Sequence, residues 1–333
     1  MQDDFWSQLD SELAAALRRI PPEVIAPIRP EGIEAQRALV AGMMPGDPLD
    51  RIGPGLAVSE VSIPVDDGEL EMLVLIPDTE NARSRPAILH IHGGGLVAGD
   101  RFTGLDRVLD LAMKLGAVVA SVEYRLAPEH PYPAPMNDCV VALDWLFDDS
   151  AALGVDANRV LLFAPSAGGG VALGTVLWRR DHEQRLPCGM VLVAPMVDDQ
   201  ESFPSSTAFG DGAPWTSISN RTGWAAYLGD LYGSDDVPVY AAPTRCTDFA
   251  GLPPTLIDVG SSDIFIDEGL DLATRMRRDG VPVELHVYPG GFHGFDVMAA
   301  DTTLARNARA NRSAFIERIL AAGWPVAPTD TVR

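Results

Sequence analysis

The sequence predicts an α/β protein with a mainly parallel, eight-stranded sheet and helices on both faces. Two observations predict it. From about residue 56 onward, short β-rich runs alternate with helix-length segments, the signature of βαβ units. At 333 residues and 47% hydrophobic content, the chain can also bury the large core that such a sheet requires.

Residues 1–50 stand apart from this pattern. They hold two helix-like pieces, SELAAALRRI (11–20) and IEAQRALVAGMM (33–44), separated by a proline-rich break, and are read as a helical cap segment. Residues 51–333 form the main domain. It opens with AVSEVSIPV (57–65) and ELEMLVLIP (69–77), which are joined around Asp66-Asp67-Gly68 and predict an antiparallel hairpin. The strands PAILHIHG (86–93), GAVVASVEY (116–124), RVLLFA (159–164), GMVLVAP (189–195), TLIDVG (255–260) and VELHVYPG (283–290) follow. Helices are expected near 104–115, 136–149, 168–180, 267–279 and 302–322. The interval 196–254 is too long for a simple crossover. It carries Trp215, Trp224, Tyr227 and Tyr232, and its part at 196–245 is expected to lie as a cap over the carboxyl edge of the sheet.

A formal net charge of −22 repels phosphate backbones and anionic lipid, which argues against nucleic-acid and membrane-surface partners. Cys139, Cys188 and Cys246 are isolated and odd in number, so neither a disulfide framework nor a zinc site is suggested, and no metal is expected. The N-terminus lacks an apolar h-region, and no stretch approaches the length of a membrane span, so a soluble cytoplasmic protein is expected.

In open α/β sheets, ligands bind beyond the carboxyl ends of the strands, so reactive side chains directly after predicted strands carry the functional reading. Three qualify, in the order Ser166, Asp263, His293. Ser166 lies in FAPSAGGG (163–170), between a buried strand and a helix start, among small residues that allow a tight turn. The common G-x-S-x-G pattern is altered to Ala164-Pro165 before the serine. Proline is tolerated there if φ is near −65° and no N–H partner is needed, and we expect it to stiffen the turn. His293, in YPGGFHGFD (288–296), is the histidine placed as a general base. His286 alternates with Val283, Leu285 and Val287 on the opposite face of a strand, and His182 sits among charges. Asp263 is preferred as the acid because it lies on a strand-end loop. Asp267 and Glu268 open the next helix, Asp258 is inside a strand, and Asp296 follows the histidine closely. Finally, His92-Gly93-Gly94-Gly95 follows the strand PAILHI. Consecutive glycines let backbone N–H groups converge on a small volume, as an oxyanion hole requires.

Together HGGG (92–95), YRLAPEHPYPAPMND (124–138), SAGG, D-x-x-x-DE (263–268) and HGF (293–295) resemble the hormone-sensitive-lipase-like α/β hydrolases over about residues 56–322. The resemblance implies an α/β-hydrolase fold with a helical cap and a Ser166–His293–Asp263 triad, with oxyanion donors from Gly94, Gly95 and Ala167. It further implies a structural role for residues 123–138. His92, Gly93 and Trp215 are assigned to the substrate pocket. The expected activity is hydrolysis of short-acyl carboxylic esters, with bulky or aromatic alcohols as the first choice and no cofactor. A lactonase, amidase or carbamate hydrolase on the same triad, or a non-catalytic ligand receptor, is the alternative. A homodimer is a candidate assembly.

Overall fold

In the computed structural model, residues 2–42, 49, 52–66, 68–78, 84–209 and 212–322 are described. One eight-stranded sheet runs through the molecule in the order β1-β2-β4-β3-β5-β6-β7-β8. Its strands are β1 (Leu56–Val65), β2 (Gly68–Pro77), β3 (Arg85–His90), β4 (Val118–Val122), β5 (Val155–Pro165), β6 (Gly189–Val193), β7 (Thr255–Ser262) and β8 (Val283–Phe292). The expected hairpin pairs Leu56 with Pro77 through to Val65 with Gly68; Asp67 of its turn lies outside the described residues. β2 is antiparallel to both β1 and β4, and every pairing among β3 to β8 is parallel.

Parallel strands need helical crossovers, and those helices cover both faces. Every residue of β3, β4 and β6 is accordingly buried. Within β3, Ala87 and Leu89 join one apolar cluster and Ile88 the other, as the two-residue side-chain period of a strand demands. One face is covered by α4 (Asp106–Leu115) and α10 (Thr303–Ala322), through Val108, Leu111, Ile316 and Ile319. The other is covered by α5 (Ala134–Asp144), α6 (Ala167–Asp181) and α8 (Ile266–Arg278), through Leu143, Leu173, Val176 and Leu272.

The N-terminal segment forms α1 (Gln2–Gln8), α2 (Ser11–Leu17) and α3 (Ile33–Gly42). Asp10 caps α2 by accepting the amides of Glu12 at 2.9 Å and Leu13 at 3.2 Å, while Leu13 and Leu17 bury its inner face. The sequence reading ran the second of its helices to residue 44; positions 43–48, 50 and 51 lie outside the described residues. Between β6 and β7 the chain leaves the sheet and forms α7 (Ser217–Leu228). Thr216 caps this helix through the Ser219 amide. The short α9 (Phe295–Met298) follows β8.

The edge strand β8 departs from a simple core-facing reading. Its apolar positions Leu285 and Val287 are the exposed ones, while His286 on the other face is half-buried against Glu284 and Tyr288.

Core and edge therefore respond differently to truncation. Leu192→Ala, in fully buried β6, is expected to cost about 2–5 kcal/mol. Leu285→Ala, at the exposed edge, is expected to stay within about 0.5 kcal/mol. Urea denaturation of the two variants checks the ranking.

Candidate active site

Ser166 stands at the tip of β5, before the first residue of α6, with φ 55° and ψ −123°. That backbone conformation is sparsely populated by residues with a Cβ and costs on the order of 1–3 kcal/mol, so its surroundings must hold it in place. The Ser166 amide donates to Val193 O at 2.8 Å. Its carbonyl accepts from Gly169 N at 2.9 Å and Met196 N at 3.0 Å. Those bonds use the amides of Ser166, Gly169 and Met196, so proline at position 165 removes none of them. The turn also brings α6 onto the end of β3: a Cβ on Gly168 would lie 2.1 Å from Ile91 O and 2.6 Å from His92 O. Only glycine leaves room for that backbone-to-backbone contact.

His293 follows β8 and Asp263 follows β7, so the three side chains reach one point from three strand ends. Ser166 Oγ is 2.9 Å from His293 Nε2, and His293 Nδ1 is 2.8 Å from Asp263 Oδ2. A carboxylate only accepts, so Nδ1 carries the hydrogen and Nε2 is left as the acceptor for the serine hydroxyl. Asp263 is 2% exposed, and its Oδ1 accepts the Phe265 amide at 3.0 Å. The Phe265 ring stands edge-on to the imidazole at 5.1 Å.

The competing carboxylates are all engaged elsewhere. Asp258 pairs with Arg312 inside the core. Asp296 takes Arg107 Nε at 2.8 Å and Arg312 Nη1 at 2.5 Å. Burial raises the Asp296 pKa, but the two guanidiniums more than offset it and hold the group well below the usual carboxylate range. Glu268 corrects the sequence reading, which had it serving its own helix. It is buried and reaches back to accept the amides of Val197 and Asp198, each at 2.8 Å, in the loop after β6. Asp267 accepts the Ser205 amide at 3.0 Å.

The glycine loop after β3 turns at Gly94 and Gly95, both with positive φ. Among the described residues, the amides of Gly94, Gly95 and Ala167 make no hydrogen bond, which leaves three donors available beside Ser166. His92 was expected to line the pocket but lies wholly beneath the loop. Its Nδ1 is 2.7 Å from Gly93 O, and its ring stacks on Tyr124 at 4.1 Å. Tyr124 Oη in turn donates to His92 O at 2.9 Å, and Asp138 pins the adjoining Arg125 through both its amide and its guanidinium. The Tyr124–Asp138 stretch thus buttresses the loop from behind.

A cavity of about 400 Å³ opens over Ser166 and His293. Gly93, Gly94, Gly95 and Pro165 form part of its wall. The N-terminal segment contributes Ile28 and Val40, and the segment between β6 and β7 contributes Trp215 and Ser219. Of the residues assigned to the pocket from sequence, Gly93 and Trp215 are therefore there and His92 is not. Asp296 was weighed in the sequence only as a rival to Asp263, and its pairing with Arg107 was not foreseen. The only trace of that pair in the sequence is Asp296 itself, three positions after His293, without a partner close in the chain.

A family model described as an alpha/beta hydrolase fold matches residues 88–297. Esterase LipI of Mycobacterium tuberculosis is 30% identical over 294 residues, 88% of this chain and 90% of its own. Ethyl acetate hydrolase of Pseudomonas putida is 29% identical over 267 residues, 79% of this chain and 80% of its own. Among solved structures, bacterial heroin esterase superposes with a TM-score of 0.87 at 35% identity, covering 95% of this chain and 99% of that one.

Two buried histidines, His90 at the end of β3 and His92 in the loop beyond, make the fold acid-sensitive. Burial, helped by neighbouring His92 and Arg107, lowers His90 to about 3. Burial also lowers His92 to about 4, against a smaller opposing effect from the Gly93 carbonyl. Both are neutral in the folded protein at neutral pH, whereas in the unfolded chain they bind protons below about pH 6.5. The stability they contribute is therefore present above pH 6.5 and is lost as pH falls toward 4. Between pH 7 and pH 5 each is expected to remove roughly 2 kcal/mol. Denaturant unfolding at the two pH values checks this, and His90→Gln should flatten the slope.

Proposed function

This chain belongs to the hormone-sensitive-lipase-like α/β hydrolases and is an enzyme of carboxylesterase type, and we propose that it works as a serine esterase through Ser166, His293 and Asp263. The observation that carries the reading is the unbroken hydrogen-bond chain from Ser166 Oγ through His293 to Asp263, opening into the cavity.

The steps follow from that geometry. His293 Nε2 takes the hydroxyl proton as Ser166 Oγ attacks the ester carbonyl carbon, and the buried Asp263 stabilises the imidazolium that forms. The carbonyl oxygen gains the negative charge and is met by the amides of Gly94, Gly95 and Ala167. Each such donor is worth about 2.7–4 kcal/mol in the transition state. As the tetrahedral adduct collapses, the C–O bond to the alcohol breaks and His293 returns its proton to the leaving oxygen. Water then attacks the acyl-serine by the same route and releases the acid. Pro165, at the foot of the nucleophile, stiffens the elbow and presents an apolar surface to the substrate.

The described residues within 1–50 and 196–245 serve as the cap that closes the site, and Ile28, Val40, Trp215 and Ser219 are among those that line it. Trp215 stands 6.1 Å from the His293 ring and bounds the space beside the glycine loop, which favours small acyl groups. The relative named for ethyl acetate and the neighbour named for heroin, an acetyl ester of a bulky alcohol, agree with this preference.

Ser166→Ala is expected to lower kcat on p-nitrophenyl acetate by roughly 10⁴–10⁶-fold with unchanged circular dichroism, and retained turnover would refute the mechanism. Asp263→Asn should lower kcat by about 10³–10⁴-fold. Asp267→Asn, which loses only the Ser205 contact, should cost about 1 kcal/mol of stability and leave the rate nearly intact. A series of p-nitrophenyl esters should show acetate and propionate hydrolysed faster than octanoate; the opposite order would exclude the short-acyl reading.

A further inference from the structure

Gly95 is gripped from two sides by the segment between β6 and β7. On one side the indole of Trp215 lies over its Cα, so that a Cβ there would meet Cη2 at 2.1 Å. On the other side α7 crosses its carbonyl. A Cβ on Gly223 would fall 2.4 Å from Gly95 O, and 3.4 Å from the carbonyl carbon and from Met196 Cε. Gly223 sits in the middle of a 12-residue helix, and its own backbone conformation does not call for glycine. What excludes a side chain there is the carbonyl of the loop.

The two peptide planes of the loop are held differently. Gly94 O accepts from Ala98 N at 3.0 Å and Val97 N at 3.3 Å, which turns that carbonyl into the loop. Peptide planarity then aims the Gly95 N–H the opposite way. The Gly95 carbonyl is buried and accepts no hydrogen bond among the described residues. Its position is set by contact, with the α-hydrogen of Gly223 that replaces a Cβ facing it.

We propose that Gly223 is a positioning residue for the oxyanion site: by letting α7 seat on the Gly95 carbonyl, it fixes the peptide that follows Gly95 and, through their shared Cα, the direction of the Gly95 amide that meets the developing charge. This rests on the assignment of Gly95 as an oxyanion donor. It makes the inserted segment part of the catalytic apparatus as well as a wall of the pocket. Trp215 and the Gly95 donor move together, so disturbing α7 alters transition-state stabilisation more than substrate binding.

The test compares wild type with Gly223→Ala on p-nitrophenyl acetate. It adds the inhibition constant of an aryl trifluoromethyl ketone, which forms a reversible tetrahedral adduct with a reactive serine. The variant should lose roughly 10- to 100-fold in kcat and in ketone affinity together, with KM changed by no more than about threefold. A purely structural role would lower the melting temperature and leave both quantities unchanged per folded site, and that result overturns the proposal. Should Gly223→Ala fail to fold, Trp215→Phe thins the other side of the grip without adding atoms. Parallel loss of kcat and ketone affinity there supports the proposal, and unchanged ketone affinity overturns it. A wild type that does not bind the ketone, or a Ser166→Ala variant that still binds it tightly, would instead break the serine-esterase assignment itself. Ser166-dependent binding that survives Gly223→Ala breaks this inference alone.

Discussion

Holding Ser166 at φ 55° requires backbone on every side of it, and much of the surrounding architecture follows from that need. The serine amide is anchored to β6 and its carbonyl is clamped by Met196 of the loop beyond. Glu268 fixes the next two amides of that loop from the first turn of α8, in the βα unit that follows. α6 starts so close to β3 that Gly168 touches the carbonyls of Ile91 and His92. The strain at one residue is small beside the burial that opposes it, since a fully buried Leu or Val contributes about 1.5–3 kcal/mol and the elbow is packed among many of them. The turn is therefore rigid at little cost to the whole, and the Ser166 hydroxyl is presented without needing to move.

The histidine is secured by a different kind of force. Behind it, Arg107 and Arg312 converge on Asp296, and Arg312 continues to Asp258 in β7. The four charges sum to zero, which is what allows them to be buried. Removing one partner from such a set typically costs about 3–5 kcal/mol, because the remaining charge is left without compensation. This network joins α4, α10, β7 and α9 just after His293, so the imidazole is fixed relative to the sheet and to the helices on one of its faces. Polar bonds set its direction, while Phe265 and Trp215 close the space around it.

The three residues proposed to react were legible in the sequence because each follows directly after a strand, and strand ends in a parallel sheet converge on one edge. Ser166, Asp263 and His293 meet there as their order along the chain implied. The glycines of the 92–95 loop were equally visible, since consecutive glycines have few other uses. The supporting residues were not visible. Glu268 reads as an ordinary acidic residue in the first turn of a helix, and only folding reveals that it points away to the loop after β6. His92 reads as a pocket residue because it adjoins the glycines, but in the loop just past β3 its ring is turned inward, onto Tyr124 and the Gly93 carbonyl. Leu285 and Val287 read as core by their chemistry, yet they lie on the uncovered face of an edge strand.

What the sequence determined by itself was local: which segments are strands, which turn is tight enough for a nucleophile, and which residue types can exchange a proton. Those properties depend on neighbours in the chain, where side-chain period and backbone freedom suffice. What the tertiary structure alone decided was pairing across distance. Asp296 is 189 residues from Arg107 in sequence, Glu268 is 71 from Val197, and Gly223 sits against Gly95 without any motif linking them. Such contacts depend on how helices dock on the sheet, and a single chain carries no local signal of where a buried charge or a missing side chain will find its partner.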